Sequence, residues 1–266
     1  MSKLLFIGAG KMASAIAGGI VKANVFSAAD MTAFDISSEA AATFTAATGV
    51  KCASDITTAL EAAEKVLIAV KPQYLASAIA PLKGKFADKL ILSIVAGVTI
   101  ETLSALTGSC RIVRIMPNTP ALVGKGAAAF AGSENVSAAD LEFASGIFNA
   151  AGIGVQVPEK LLDAVTGLSG SGPAYVFEFI QALADGGVAE GLPRDTALRL
   201  AAQTVLGAAA MVLETNIHPA VLKDQVTSPG GTTSRGLEKL AEKGFSGTVI
   251  QAVRAASARS AELGKK

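Results

Sequence analysis

A chain of 266 residues has room for two domains, each with a core of its own. Its 23 Lys and Arg stand against 22 Asp and Glu, and the resulting charge of +1 comes without a basic run, which argues against nucleic acid as the main partner. The mean hydropathy of +0.49 is carried largely by alanine, and the longest apolar stretch, Leu206 to Leu213, is too short to span a bilayer, so no membrane partner is expected. Two cysteines, Cys52 and Cys110, are too few for a disulfide framework and fit a reducing cytoplasm. No His/Cys cluster points to a metal.

The chain opens on Lys3-Leu4-Leu5-Phe6-Ile7, a short apolar run with the look of a buried strand. Gly8-Ala9-Gly10-Lys11-Met12-Ala13 follows at once and leads into a helical pattern that runs to Lys22. The next apolar run, Met31 to Phe34, ends at Asp35. Strand, G-x-G-x-x-A turn, helix, strand and acid is the order of a dinucleotide fingerprint. The first glycine makes the tight turn, the second admits a pyrophosphate, and the small third residue lets the helix pack. A carboxylate at Asp35 can bind both ribose hydroxyls of NAD and repel a 2′-phosphate, which favours NADH over NADPH. The competing reading has Asp35 cap the next helix, a task that Ser37 or Ser38 could do equally well.

Three further strand-like runs end in loops of the kind that line the ligand edge of a doubly wound sheet. Val66 to Val70 leads to Lys71-Pro72-Gln73, Leu90 to Val95 leads to Ala96-Gly97, and Arg111 to Ile115 leads to Met116-Pro117-Asn118-Thr119-Pro120. Lys71 could meet a cofactor phosphate or could be a plain surface lysine. Asn118 and Thr119, held between two prolines, form a rigid polar tip of functional character. Ala127 to Ala131 and Gly154 to Val157 read as the last strands, so a sheet domain is expected over residues 1–157.

From residue 158 to 266 the pattern is helical. Glu159 to Val165 begins a helix that the glycine run Gly167 to Gly172 is expected to break. Pro173 opens a helix to Gly191, and Pro193 opens another through Leu213. Both are apolar or alanine on nearly every face, more than about a hundred residues of one chain can cover, so an intertwined homodimer is expected. Near the end, Thr227-Ser228-Pro229-Gly230-Gly231-Thr232-Thr233 precedes a last helical pattern. Free N–H groups, two hydroxyls and a helix dipole converge there and suit an anion. A Pro-Gly turn with an ordinary cap is the alternative.

These motifs occur together and in order with Gly167-Leu168-Ser169-Gly170-Ser171-Gly172-Pro173-Ala174-Tyr175, and the whole chain resembles the pyrroline-5-carboxylate reductase family. The resemblance implies a Rossmann-like α/β domain followed by a helical dimerisation domain. It further implies NAD(P)H-dependent reduction of 1-pyrroline-5-carboxylate to L-proline, and a dimer that often assembles into a decamer. By the same resemblance, Ser228, Gly230, Gly231, Thr232 and Thr233 hold the substrate carboxylate, partly from the partner chain. Thr233 matches the threonine near the ring nitrogen, and Glu159 an acid near the substrate. The family's cofactor loops match Gly8, Ala9, Gly10, Lys11 and Met12, then Ala69, Val70 and Lys71, then Ala96 and Asn118. Asp35 is a departure, because NADPH-preferring relatives carry a serine or arginine pattern there.

The residues suit that chemistry. A protonated cyclic imine is already electrophilic, so positioning supplies much of what a ketone reductase would ask of a general acid. The single histidine, His218, precedes Pro219 at a helix start and fits a cap. Thr233 would hydrogen-bond the nitrogen and relay its proton through water. A β-hydroxyacid dehydrogenase would want a lysine between Pro173 and Gly191, where none lies. A non-enzymatic NAD(P) sensor would leave Ser228 to Thr233 unexplained.

Overall fold

The structure, a computed structural model, describes residues 4–108 and 111–264; expectations placed on Lys3 and Cys110 lie outside the described residues. Two compact units emerge. One comprises the residues up to Ser171 together with those from Ala255 onward, and the other is Gly172–Arg254.

The first unit is built on a sheet whose central strands are apolar on both faces, as burial between two helix layers demands. These are β1 (Leu4–Ile7), β2 (Met31–Phe34), β3 (Lys51–Cys52), β4 (Lys65–Ile68), β5 (Leu90–Ser93), β6 (Arg111–Met116), β7 (Gly126–Gly132) and β8 (Gly152–Gln156). Their order is β3-β2-β1-β4-β5-β6-β7-β8. The first six pair in parallel, with Phe6 opposite both Ala33 and Leu67. β7 runs antiparallel to β6, since the connection from Pro117 to Lys125 falls short of the dozen or so residues that a parallel crossover needs. β8 then pairs parallel to β7. The expected Rossmann-like sheet is thus observed, and β3, only two residues long, is the strand that the sequence reading missed.

Helices α1 (Lys11–Lys22), α2 (Ser38–Thr48), α3 (Ile56–Glu61), α4 (Leu75–Ile79), α5 (Ile100–Thr107) and α6 (Ala138–Asn149) connect the strands. Phe6, Ile16, Ile20, Phe44 and Leu67 form the core on one face of the sheet, and Leu5, Leu60, Ile68, Ile79 and Phe86 that on the other. Starts of helices are fixed by side chains: Ser37 accepts from Ala40 N–H, Asp55 from Thr58 N–H and Thr99 from Thr102 N–H. α6 carries a capping box between Ser137 and Asp140, and Arg111 grips both oxygens of Asp140 at 2.7 and 2.9 Å. Burial works against ionisation of Asp140, but the Ser137 hydroxyl, the Ser137 N–H and the Arg111 guanidinium outweigh it and hold the carboxyl below its usual range.

After β8 the chain makes a turn at Glu159–Leu161 and then α7 (Leu162–Val165). As the sequence suggested, the glycine run separates α7 from the next helix, with a bend at Ser171, but it does not do so as an open loop. Thr166–Gly170 continues as a π turn, closed by Ser171 N–H donating to Thr166 C=O at 2.8 Å. Hydroxyls hold it in place: Thr166 donates to Leu162 C=O and Ser169 to Val165 C=O.

The second unit is helical. It contains α8 (Gly172–Ala189), α9 (Arg194–Thr215), α10 (Pro219–Gln225), α11 (Thr232–Glu242) and the start of α12 (Phe245–Leu263). α8 and α9 meet through small residues, Ala184, Ala197 and Ala201, with Gly187 allowing Leu192 and Ala197 close. His218 caps α10, its Nδ1 accepting from Ala220 N–H at 3.2 Å. Beyond that small core the apolar side chains face outward, among them Phe177, Leu200, Leu206 and Leu213 at 54–68% exposure. α9 is long and apolar enough to cross a membrane by length and composition, although its longest uninterrupted apolar run is short. A unit with so much uncovered apolar surface needs another surface against it.

Candidate active site

The crossing of the sheet from β1 outward in both directions puts a crevice at the carboxyl ends of β1 and β4. Gly8 adopts φ +104°, a left-handed conformation that only glycine takes without strain, and its N–H donates to Phe34 C=O at 2.8 Å. A side-chain carbon there would stand 2.8 Å from Ala69 O, so the β1 and β4 loops touch only because residue 8 is glycine. Ala9 N–H donates to Asp35 Oδ2 at 2.8 Å, and Ser37 N–H donates to Asp35 Oδ1 at 2.9 Å. The carboxylate therefore links the glycine turn to the end of β2, while Ser37 supplies the cap of α2. Each carboxylate oxygen keeps a further lone pair for a ligand.

α1 has Gly10 as its N-cap, with no side chain on its first N–H groups. A cleft of about 390 Å³ opens in front of it, lined by Ala9, Gly10, Lys11, Ser14, Ser37, Ala40 and Leu122. Nothing lies within 4 Å of where a Cβ on Gly10 would point, so a side chain there would enter open space beside the cleft. Uncapped N–H groups, a helix dipole and a missing Cβ fit a dinucleotide pyrophosphate. The structure thus brings Gly8 to Met12, Asp35, Ala69 and Val70 to one edge. Lys71 is exposed beyond β4, and Ala96 is exposed after β5.

Asn118 and Glu159 are held differently. Asn118 is 8% exposed; its Nδ2 donates to Ser169 C=O at 3.0 Å and its Oδ1 accepts from Ala127 N–H at 2.8 Å. Glu159 Oε1 accepts from Ile100 N–H at 2.8 Å and from Arg114 Nη1 at 3.1 Å. It lines a second cleft, of about 750 Å³, with Ile100, Ser104, Ser133 and Asn135. Arg114 escaped the sequence reading; a charged residue inside an apolar strand run was the available signal.

In the helical unit, Ser228 to Thr233 forms the second glycine turn. Gly230 has φ +67°, and Gly231 N–H donates to Ser228 C=O at 3.0 Å. A Cβ on Gly231 would lie 2.2 Å from Ser228 Oγ, so the hydroxyl occupies the space that glycine leaves. α11 starts at Thr232 with no capping side chain, and Ser234 Oγ turns back to donate to Gly231 C=O. Most of this loop is exposed. Such a start can receive a carboxylate on its N–H groups. No group of three or more potential metal ligands occurs among the described residues.

Comparison with known proteins gives two family matches: residues 159–263 match the model for pyrroline-5-carboxylate reductase dimerisation, and residues 3–97 that for NADP oxidoreductase, coenzyme F420-dependent. A pyrroline-5-carboxylate reductase of Methanosarcina acetivorans is 47% identical over 99% of this chain and 98% of its own. One from Arabidopsis thaliana is 45% identical over 98% and 95%. Among solved structures, a pyrroline-5-carboxylate reductase from Coxiella burnetii superposes with a TM-score of 0.94 at 35% identity, covering 100% of this chain and 99% of its own. The Plasmodium falciparum pyrroline carboxylate reductase, solved with NADP bound, gives 0.88 at 36% identity, covering 98% of each.

Proposed function

The chain belongs to the pyrroline-5-carboxylate reductase family, and from that premise we propose how its own residues serve the reaction. It is an NAD(P)H-dependent oxidoreductase of proline biosynthesis that reduces the cyclic imine 1-pyrroline-5-carboxylate. The bound nicotinamide supplies the hydride that goes to the C=N carbon. Gly8 to Met12 hold the pyrophosphate against the start of α1, with Ala69 to Lys71 and Ala96 along the same edge. The observation that carries the reading is the pairing of two uncapped, glycine-led helix starts, at Gly10 and Gly231.

NADH is the preferred cofactor in this reading. Asp35 is fixed by two backbone N–H groups at the edge of the cleft, where it accepts from ribose hydroxyls and repels a 2′-phosphate. The substrate carboxylate takes the N–H groups at Thr232 and Thr233, helped by Ser228, Gly230 and Gly231. The Thr233 hydroxyl hydrogen-bonds the ring nitrogen and passes it a proton from water. Glu159 acts by tying the start of α5, at Ile100, to Arg114 on β6 through its Oε1.

Self-association follows from the dimerisation match and from the apolar faces of α8 and α9. In this reading those faces meet a second copy rather than a bilayer, the pair supplies a shared active site, and dimers assemble further into a decamer in a reducing cytoplasm. Adding 1-pyrroline-5-carboxylate to protein and NADH, with loss of nicotinamide absorbance as readout, tests the reaction. Light scattering at micromolar concentration tests the assembly, and a monomer there would overturn it.

A further inference from the structure

Two stretches singled out in the sequence, Met116 to Pro120 and Gly167 to Gly172, interlock through residues of the first unit, Asn118 and Met116 against Ser169 and Gly170. Asn118 spans them, donating to Ser169 C=O within the π turn while accepting from Ala127 N–H at the start of β7. Each half of its amide thus holds one backbone partner, and the side chain is buried. Met116 makes the second contact: its Cε lies 2.5 Å from where a Cβ on Gly170 would be. Gly170 has a negative φ, so space for the methionine, and not backbone freedom, is what glycine provides there. A π turn is a costly local geometry that persists where the surroundings enforce it. This one lies where the chain first leaves the first unit, and the helical unit begins at Gly172.

We propose that Asn118 and Met116 are positioning residues for the reduction: they lock the π turn at the joint between the two units, and neither touches the cofactor. The proposal rests on the reading of the reaction given above. Wild-type protein that fails to oxidise NADH with the imine would count against that reading, whereas the variants below count for or against this one.

Asn118→Asp keeps the acceptor for Ala127 N–H but sets an oxygen against Ser169 C=O. The expected result is a fall in kcat of about tenfold to a hundredfold, the scale of misplaced reacting groups. The dissociation constant for NADH, read from nicotinamide fluorescence, is expected to stay within about twofold of wild type. A weakened NADH affinity with kcat preserved at saturation would overturn the proposal and make Asn118 a cofactor contact. A lowered melting temperature with both constants unchanged would also overturn it, leaving a purely structural tie. Gly170→Ala supplies an independent arm, since its methyl group collides only with the flexible end of Met116. It should lower kcat, and adding Met116→Ala should restore it at least in part; no change in Gly170→Ala, or no recovery in the double variant, defeats the interlock.

Discussion

The two glycine-led helix starts are alike in chemistry and opposite in construction. The turn at Gly8 to Met12 is assembled from distant pieces of one chain: Phe34 and Asp35 from β2 and its end, Ala69 from beyond β4. The turn at Ser228 to Thr233 is held by its own residues, through Ser228 C=O, the Ser228 hydroxyl tucked against Gly231, and Ser234 reaching back. The first is half buried in a sheet edge, whereas the second stands mostly in the open on a unit with little core. A cofactor cradle can therefore be complete within one chain. In the function proposed above, the second turn binds an acid and gains its walls from another surface, which is what a dimerising unit provides.

The contrast can be broken at three places. Gly8→Val forces a side chain into Ala69 C=O at a backbone angle that valine resists, and should weaken NADH binding by about a hundredfold or more, ~2.7 kcal/mol. Fluorescence titration reads it directly, and unaltered affinity would dissolve the first half of the comparison. Thr233→Ala attacks the open turn. It should lower kcat by about thirtyfold, ~2 kcal/mol, and leave NADH affinity alone. Unchanged turnover would remove Thr233 from the chemistry. Asp35→Ser sharpens the cofactor side by shifting the NADPH/NADH ratio of kcat/KM upward by about tenfold. A wild-type enzyme that already prefers NADPH strongly would end the argument from Asp35.

The smallest effect lies away from both turns. Because Asp140 has a depressed folded-state pKa, its contribution is fully present above the ordinary Asp value, about 3.9, and is lost as pH falls through the folded value. Asp140→Asn should cost about 1 kcal/mol in denaturant unfolding at neutral pH. That difference should shrink at pH values below about 3.9; a gap that persists in acid would contradict the assignment.

Much of this was legible because it is local. A strand feeding a glycine turn and a helix is written in a dozen consecutive residues, and Asp35 sits where the next strand must end. The cap at His218 could be read from the proline after it, and the observed bond to Ala220 N–H agrees. Illegible features depend on distant partners. β3 has only two residues, too few for alternation to show. The glycine run after Val165 looked like a break because its local propensity is poor, yet Thr166, Asn118 and Met116 hold it as a turn of helix. Asn118 looked like a loop tip offered to a ligand, and only the fold reveals that its amide bridges Ala127 and Ser169. Uninterrupted apolar runs do not reveal a helix such as α9, whose apolar residues are spread along its length.

One feature of α12 bears on how the protein is made. Its later turns belong to the first unit, where Ser260 Oγ donates to Asp163 Oδ1 at 2.6 Å and Leu263 and Gly264 lie against Gly97. The first unit is consequently finished only after the helical unit has been made, since its closing tile, from Ala255 onward, follows Gly172–Arg254 in the chain. Until then Asp163 and the Gly97 loop wait uncovered, and a chain halted before Ser260 would carry a nucleotide-binding half that never fully closes.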